Sequence, residues 1–286
     1  MLSLHTNAAS LSTQTSLSST QSALATSQTR LGTGYRINSA MDDAAGLQIA
    51  TRLDAQTRGM AVASRNTQNG ISMMQTAEGA FGEVSNILLR MKDLATQAAD
   101  ASSSAADQTA MQSEYDALGT ELKNIMTNTS FGGSTLLKGG KLTAAMQFQI
   151  GAASTETMTV NLSADMTQLD GTDLGAVSSN YTAAGVGTEL TAAGSANGMI
   201  DKINTAIATV GKLRAGLGAA SNRLDHVFNN LANMSNNTTQ AKGRIMDVDY
   251  ATETSNMTAK QMLMQAGTSM LKQSNSMSQM VLSLMQ

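Results

Sequence analysis

The chain has 286 residues, a net charge of −3, 14% charged residues, 3% aromatic residues, and no cysteine, proline or tryptophan. The charge balance offers no basic field for nucleic acid and no polybasic run for an anionic membrane. Without cysteine there is no disulfide framework, thiol nucleophile or Cys-ligated zinc. Absence of the strongest helix breaker fits long uninterrupted helices, and 21 methionines replace the usual large rings among the apolar residues.

The first residues, MLSLHTNAASLSTQTS, carry neither a basic start nor a continuous apolar run, so no cleaved secretory signal is expected. No stretch is apolar enough to span a bilayer. Leu4 and Leu11 are seven apart, as are Leu17, Leu24 and Leu31, with a one-position shift between Leu11 and Leu17. This predicts a helix with a thin apolar stripe, near a coiled-coil seam but not a strict heptad, ending near Leu31. Gly32 and Gly34 then mark a joint. Asn38 or Ser39 is expected to cap the next helix, with Asp42 and Asp43 against its dipole.

A long helix is predicted from about Ala44 to Ala99. Met60, Met74, Phe81 and Leu88 share one seven-residue grid, with Thr67 in the gap. DASSSAADQ reads as a loop, with Asp107 capping a helix through Met111, Tyr115, Leu118, Leu122 and Ile125. Paired glycines end it in NTSFGGSTLLKGG. MQFQIGA and MTVNLSA alternate in the strand period, so residues 142–196 are expected to form a short β-rich region of hairpins and glycine-marked loops. Helical spacing returns near Asn197 and runs to about Ala241. From Asp249 a last helix carries two adjacent rows: Leu263, Met270, Met277 and Leu284, and Met257, Met264, Leu271 and Met285. Pairing the first and last segments is expected to bury both stripes. Apolar surface left over implies contact with other copies of the chain. The methionines are either Leu-like fillers or flexible contacts that let packed helices change register.

Candidate chemistry is thin. LGTGYR lacks the spacing of a phosphate loop. Asp42 and Asp43, adjacent on a helix, diverge by about 100° and do not converge as a catalytic pair. The two histidines, His5 and His226, are far apart and no HExxH occurs. No catalytic, cofactor-binding or metal-binding residue is expected, and the chain does not read as an enzyme.

The segments RINSAMDDAAGLQIATRLDAQTRGMAVASRNTQNGISMMQTAEGA (36–80) and LLRMKDLATQAA (88–99) resemble the N-terminal signature of bacterial flagellin. GAASNRLDHVFNNLANMSNNTTQAKGRIMDVDYATETSNM (218–257) and QAGTSMLKQSNSMSQMVLSLMQ (265–286) resemble its C-terminal region. The resemblance covers roughly residues 1–140 and 197–286. It implies a mainly α fold of long helices in coiled-coil and bundle arrangement, with a small β-hairpin region and the two termini paired in space. It further implies an inner terminal domain from 1–41 and 244–286, an outer helical bundle from 42–141 and 197–243, and a short variable region at 142–196. The form is compact, without large outer domains. The methionine content and Ala-Met before the acidic pair are similar to lateral-type flagellins.

What the resemblance implies about function is a structural subunit that self-assembles into the flagellar filament for motility. The alternatives are a hook–filament junction protein or a non-polymerising helical adaptor of the export system. Junction proteins commonly carry proline near the acidic pair, where this chain has DDAAGLQIA. Implied partners are further copies of the chain, a filament cap protein, the hook–filament junction protein and an export chaperone at the C-terminal helix. The implied location is extracellular, after export without a cleaved signal. Leu4, Leu11, Leu17, Leu24, Leu31, Leu263, Met270, Met277 and Leu284 are expected to form the self-assembling inner core. Gly32, Gly34, Asn38, Asp42 and Asp43 are expected to form the joint. Arg90, Leu94 and Glu114 match positions that an animal innate immune receptor contacts. Residues 29–50 match a segment sensed by plants, from which Tyr35 and Met41 depart.

Overall fold

A computed structural model describes residues 7–183, 185–192 and 194–284, with side chains through residue 276. Leu4, and the side chains of Met277 and Leu284, therefore lie outside the described residues. The fold is mainly α. Its long helices are α1 (Ala8–Thr33), α2 (Ala44–Ala98), α3 (Ala105–Asn128), α7 (Ser195–Met246) and α8 (Tyr250–Leu284). Between α3 and α7 lie the hairpins β1 (Ser130–Phe131) with β2 (Ser134–Thr135) and β3 (Met146–Gln149) with β4 (Thr157–Val160). The short helices α4 (Ser163–Gln168), α5 (Leu174–Val177) and α6 (Ser179–Thr182) follow. The chain forms two compact units, one of residues 1–57 and 236–286, the other of 58–235, with the divisions inside α2 and α7.

In the unit of 58–235, Met60, Thr67, Met74, Phe81, Leu88 and Ala95 of α2 are all buried, as the seven-residue grid predicts. Thr67 is tolerated in that row because its hydroxyl donates to the Ala63 carbonyl at 2.8 Å, so no polar hydrogen is left without a partner. From Met74 to Ala98 this face packs with Tyr115, Leu122 and Met126 of α3 and with Ile203, Val210, Leu213 and Leu217 of α7. The cap of α3 differs from expectation. Ser104 is the N-cap and Asp107 the third helical residue, and the two form a reciprocal capping box: Asp107 N–H donates to Ser104 Oγ at 3.2 Å and Ser104 N–H to Asp107 Oδ2 at 3.1 Å. The Ser104 hydroxyl, donating to the same carboxylate, holds Asp107 below the usual carboxylate range.

Residues 142–196 also correct the expectation. The alternating MQFQ and TMTV form one hairpin of four residues per strand, but residues 163–182 are helical turns. Met166, Leu169, Leu174, Val177 and Tyr181 sit on the core side of α4–α6 and of the wide turn Leu169–Asp173, and all are buried. Their spacing is helical, and Gly171 and Gly175 interrupt it in the sequence without breaking the chain's coiling. Polar anchors hold these turns. Tyr115 Oη donates to the Val177 carbonyl at 2.8 Å, and Thr209 Oγ1 donates to Asp173 Oδ2 at 2.6 Å. Tyr181 Oη donates to Asp170, while Lys138 Nζ lies 4.2 Å from the centre of the Tyr181 ring and 3.2 Å from Asp170 Oδ1. Farther on, Gln112 Nε2 bridges the carboxylates of Asp116 (2.8 Å) and Glu189 (2.7 Å), and its Oε1 accepts from Leu190 N–H at 2.7 Å.

Candidate assembly interface

In the unit of 1–57 and 236–286, α1 and α8 pack antiparallel. The row of α1 facing α8 is Ser10, Thr13, Leu17, Thr20, Leu24, Ser27 and Leu31, with Ala23 and Arg30 half-buried beside it. The row of α8 is Glu253, Met257, Lys260, Met264, Gly267, Leu271 and Ser274, with Gln261 half-buried beside it. Both sets run alternately three and four apart, so the seam is a strict heptad on each helix. The apparent shift in the leucine stripe arises because Ser10, not Leu11, occupies the seam; Leu11 is 60% exposed. The seam leucines are therefore Leu17, Leu24 and Leu31.

Half of the seam is polar: Thr13 and Thr20 donate back to the Ala9 and Ser16 carbonyls of α1, and polar groups toward its two ends reach across. Asn7 Nδ2 donates to the Ser274 carbonyl at 3.2 Å and Ser10 Oγ to Asn275 Oδ1 at 3.1 Å. Lys260 Nζ donates to Ser27 Oγ at 2.9 Å and to the Ala23 carbonyl at 3.3 Å. Arg30 Nη1 lies 3.8 Å from Glu253 Oε2. At Gly267 a Cβ would stand 3.4 Å from Leu17 Cδ1, so the missing side chain lets that leucine sit close to the α8 backbone. A slip of half a heptad would set the Lys260 ammonium against Leu24 or Leu31. The polar rungs thus favour one register.

The pairing does not bury both rows of α8, contrary to the sequence expectation. Met257, Met264 and Leu271 enter the seam, whereas Leu263 and Met270 remain 61% and 63% exposed. With Ala259, Met262 and Ala266 they form a second apolar face at i, i+3, i+4, i+7 and i+11, directed away from α1. The sequence reading missed Ala259, Met262 and Ala266. The signal that could have found them is Glu253 and Lys260, which share the seam's seven-residue row and so fix which stripe faces α1.

The joint is built from backbone. The Gly34 N–H donates to the Arg30 carbonyl at 2.9 Å, and φ of +77° at this C-cap favours glycine. A Cβ there would also stand 2.9 Å from the Tyr250 hydroxyl. Gly32 lies inside α1 and makes no turn. Residues 34–36 then pair with 245–248: Val248 N–H donates to the Gly34 carbonyl (3.0 Å), Arg36 N–H to the Met246 carbonyl (2.6 Å), and Arg36 Nη2 to the Ile245 carbonyl (2.8 Å). The acidic pair divides its labour. Asp43 caps α2 by accepting from Gly46 N–H at 2.8 Å, which replaces Asn38 and Ser39 in the expected role. Asp42 Oδ2 accepts from the N–H groups of Asn38 (3.0 Å) and Ser39 (2.9 Å), and these donors hold its carboxyl below the usual range. Asn38 Nδ2 instead closes the loop onto the Tyr35 carbonyl at 2.8 Å.

On the other unit, Arg90 of α2 and Glu114 of α3 form an exposed ion pair, Nη2–Oε1 2.6 Å. Leu94 is buried in the core, so it supports the helix beneath Arg90 and presents no surface of its own. Leu89, 49% exposed beside Arg90, is the apolar group actually at the surface.

Residues 4–141 match the family model of the bacterial flagellin N-terminal helical region, and residues 200–285 match that of the C-terminal helical region. This chain belongs to the bacterial flagellin family. It is 33% identical to Flagellin A of Vibrio anguillarum over all of both chains, and 40% identical to a flagellin of Halalkalibacterium halodurans over 88% of each. The first alignment runs to 379 positions against 286 residues here, so the relative carries residues that this compact flagellin lacks. Among solved structures, the Bacillus cereus flagellin is similar at 33% identity and a TM-score of 0.47, covering 58% of this chain and 88% of that one. Membership makes the chain a structural subunit of the flagellar filament, a self-assembling extracellular polymer. No helix among the described residues is long and apolar enough to cross a membrane.

Proposed function

We propose that the second apolar face of α8, centred on Met262, Leu263 and Met270, is the surface through which this flagellin packs against further copies of itself. The observation that carries this is the seam itself. α1 and α8 already satisfy each other through Leu17, Leu24, Met257, Met264 and Leu271, yet α8 keeps Leu263 and Met270 more than half exposed. An exposed face of this kind on a monomer marks a contact surface, and a head-to-tail contact that does not close builds an open helical polymer. Support for the same reading comes from the half-polar seam, which is a weak core by itself.

The same face suits an export chaperone, which would cover α8 before assembly while the subunit travels the flagellar export route. A cap protein would receive subunits at the growing tip. The Arg90–Glu114 pair with Leu89 is the surface proposed for an animal immune receptor.

The test uses filaments dissociated by acid or heat, neutralised and offered to short seeds. Leu263→Asp in the full chain is expected to leave a folded subunit by circular dichroism and to abolish elongation. Elongation at the unmodified rate would exclude this face. Failure of the unsubstituted chain to elongate seeds under any salt condition would favour a non-polymerising adaptor.

A further inference from the structure

With 21 methionines and neither cysteine nor tryptophan, the thioether is the most readily oxidised side chain in this protein. The fold grades these sulfurs by exposure, and Met234 of α7, 39% exposed, is accessible outside the α8 face. Met60, Met74, Met91, Met126 and Met166 are sealed in the core, at most 2% exposed. Met257 and Met264 are half covered in the α1–α8 seam. Met262 and Met270 are 60% and 63% exposed and both lie on the second apolar face of α8, while Met41, 97% exposed, lies on the joint loop away from it.

We propose that Met262 and Met270 form a peroxide-reactive modification site that governs whether a free subunit can join a filament. The proposal rests on the reading that this α8 face packs between copies. The thioether sulfur attacks one oxygen of hydrogen peroxide, the O–O bond breaks, and the second oxygen takes up the proton and leaves as water. Sulfur loses two electrons and becomes a sulfoxide, and the peroxide is reduced. The product is a strong hydrogen-bond acceptor on a face that must be desolvated to assemble; its apolar neighbours Ala259, Leu263 and Ala266 offer no donor, and only Thr258, Gln265, Ser269 and Gln273 at the margins of the face carry one. A subunit already assembled hides both sulfurs, so the modification acts on the free pool. Met41 takes up oxygen at least as fast but changes no packed surface, which makes it an internal control.

Purified subunits would be treated with dilute hydrogen peroxide, quenched with catalase, mapped for sulfoxide by peptide mass spectrometry and then offered to seeds. The wild type, Met41→Leu, Met270→Leu and a Met262→Leu/Met270→Leu variant would be compared. Leucine keeps volume and apolarity and cannot be oxidised. Elongation of treated wild type and of Met41→Leu is expected to slow roughly tenfold or more. The double variant should elongate equally with and without peroxide, with Met270→Leu between. Assembled filaments should show little sulfoxide at residues 262 and 270. Full oxidation at both positions with unchanged elongation, or equal inhibition of the double variant, would overturn the proposal alone. Untreated wild type that fails to elongate seeds would overturn the packing reading, and the proposal with it.

Discussion

The unit of 58–235 and the unit of 1–57 with 236–286 are built from helices of similar composition, but they bury different things. The first encloses Phe81, Leu88, Tyr115, Leu122 and Tyr181 completely and anchors its turns with tyrosine and carboxylate hydrogen bonds. The second has a seam in which each turn pairs one apolar row with one polar row, and it leaves Leu11, Met262, Leu263 and Met270 open. A closed core stabilises a subunit by itself. A half-polar seam with an open apolar face gains most of its stability when further surfaces arrive.

The largest expected contrast is between two leucine truncations. Leu122→Ala empties a fully buried site and should cost about 2–5 kcal/mol in a urea melt of the subunit. Leu24→Ala, in the seam beside Ser27 and Lys260, should cost less in the same melt but strongly shorten filaments grown from seeds. Equal losses in the subunit melt would break the comparison.

Alkaline pH sharpens it next. Burial of Tyr115 and Tyr181 pushes both phenols above the ordinary value of 10.0, with the Asp170 hydrogen bond adding to the effect at Tyr181. A raised folded-state pKa favours the protonated form, so this stabilisation is complete below pH 10.0 and declines as the pH rises above it. The unit of 58–235 should therefore lose stability progressively as the pH rises above 10.0. Tyr115→Phe should cost about 1–2 kcal/mol at neutral pH, by leaving the Val177 carbonyl without its donor. The same variant should show a shallower alkaline decline. A decline of unchanged steepness would assign the sensitivity elsewhere.

Much of this architecture was legible in the residues. The α2 grid of Met60, Met74, Phe81 and Leu88 was readable because a buried row with one satisfied threonine keeps its period. The MQFQ–TMTV hairpin was readable because apolar and polar residues alternate along each strand. Two kinds of feature were not. In residues 163–182 the apolar period is broken by Gly171 and Gly175, which sequence reasoning takes as loop marks although the backbone coils through them. On α8 two apolar rows stand side by side, and their periodicity alone does not say which one meets α1. That choice is made by the polar rungs, Ser27 with Lys260 and Arg30 with Glu253, which are visible only as charges in the same heptad row. Between the end of α1 at Thr33 and the start of α2 at Ala44, Gly32 is drawn into α1 and the cap falls on Asp43, because the Asn38 and Ser39 N–H groups are occupied in holding Asp42.

That division of the acidic pair sets a smaller effect. Asp43→Ala removes the acceptor of Gly46 N–H and should cost about 1 kcal/mol, seen as faster amide hydrogen exchange confined to the first turn of α2. Asp43→Asn should restore most of the protection, since asparagine caps equally well. Uniformly faster exchange throughout α2 would mean that Asp43 does more than cap.

The smallest effect belongs to Arg90 and Glu114, and its smallness is informative. Their pair is 2.6 Å long, but the side chains are 53% and 45% exposed, so solvent screens the attraction. A double-mutant cycle with Arg90→Ala and Glu114→Ala should give a coupling of about 0–1 kcal/mol in subunit stability. Leu94→Ala, one turn along α2 and in the core, should cost about 2–5 kcal/mol. If the pair serves as a recognition surface, signalling in an immune-receptor reporter cell should fall with Arg90→Ala while the melt hardly moves. Undiminished signalling would reduce the pair to an ordinary solvated contact between α2 and α3. A coupling well above 1 kcal/mol would instead place it among the anchors of the closed unit.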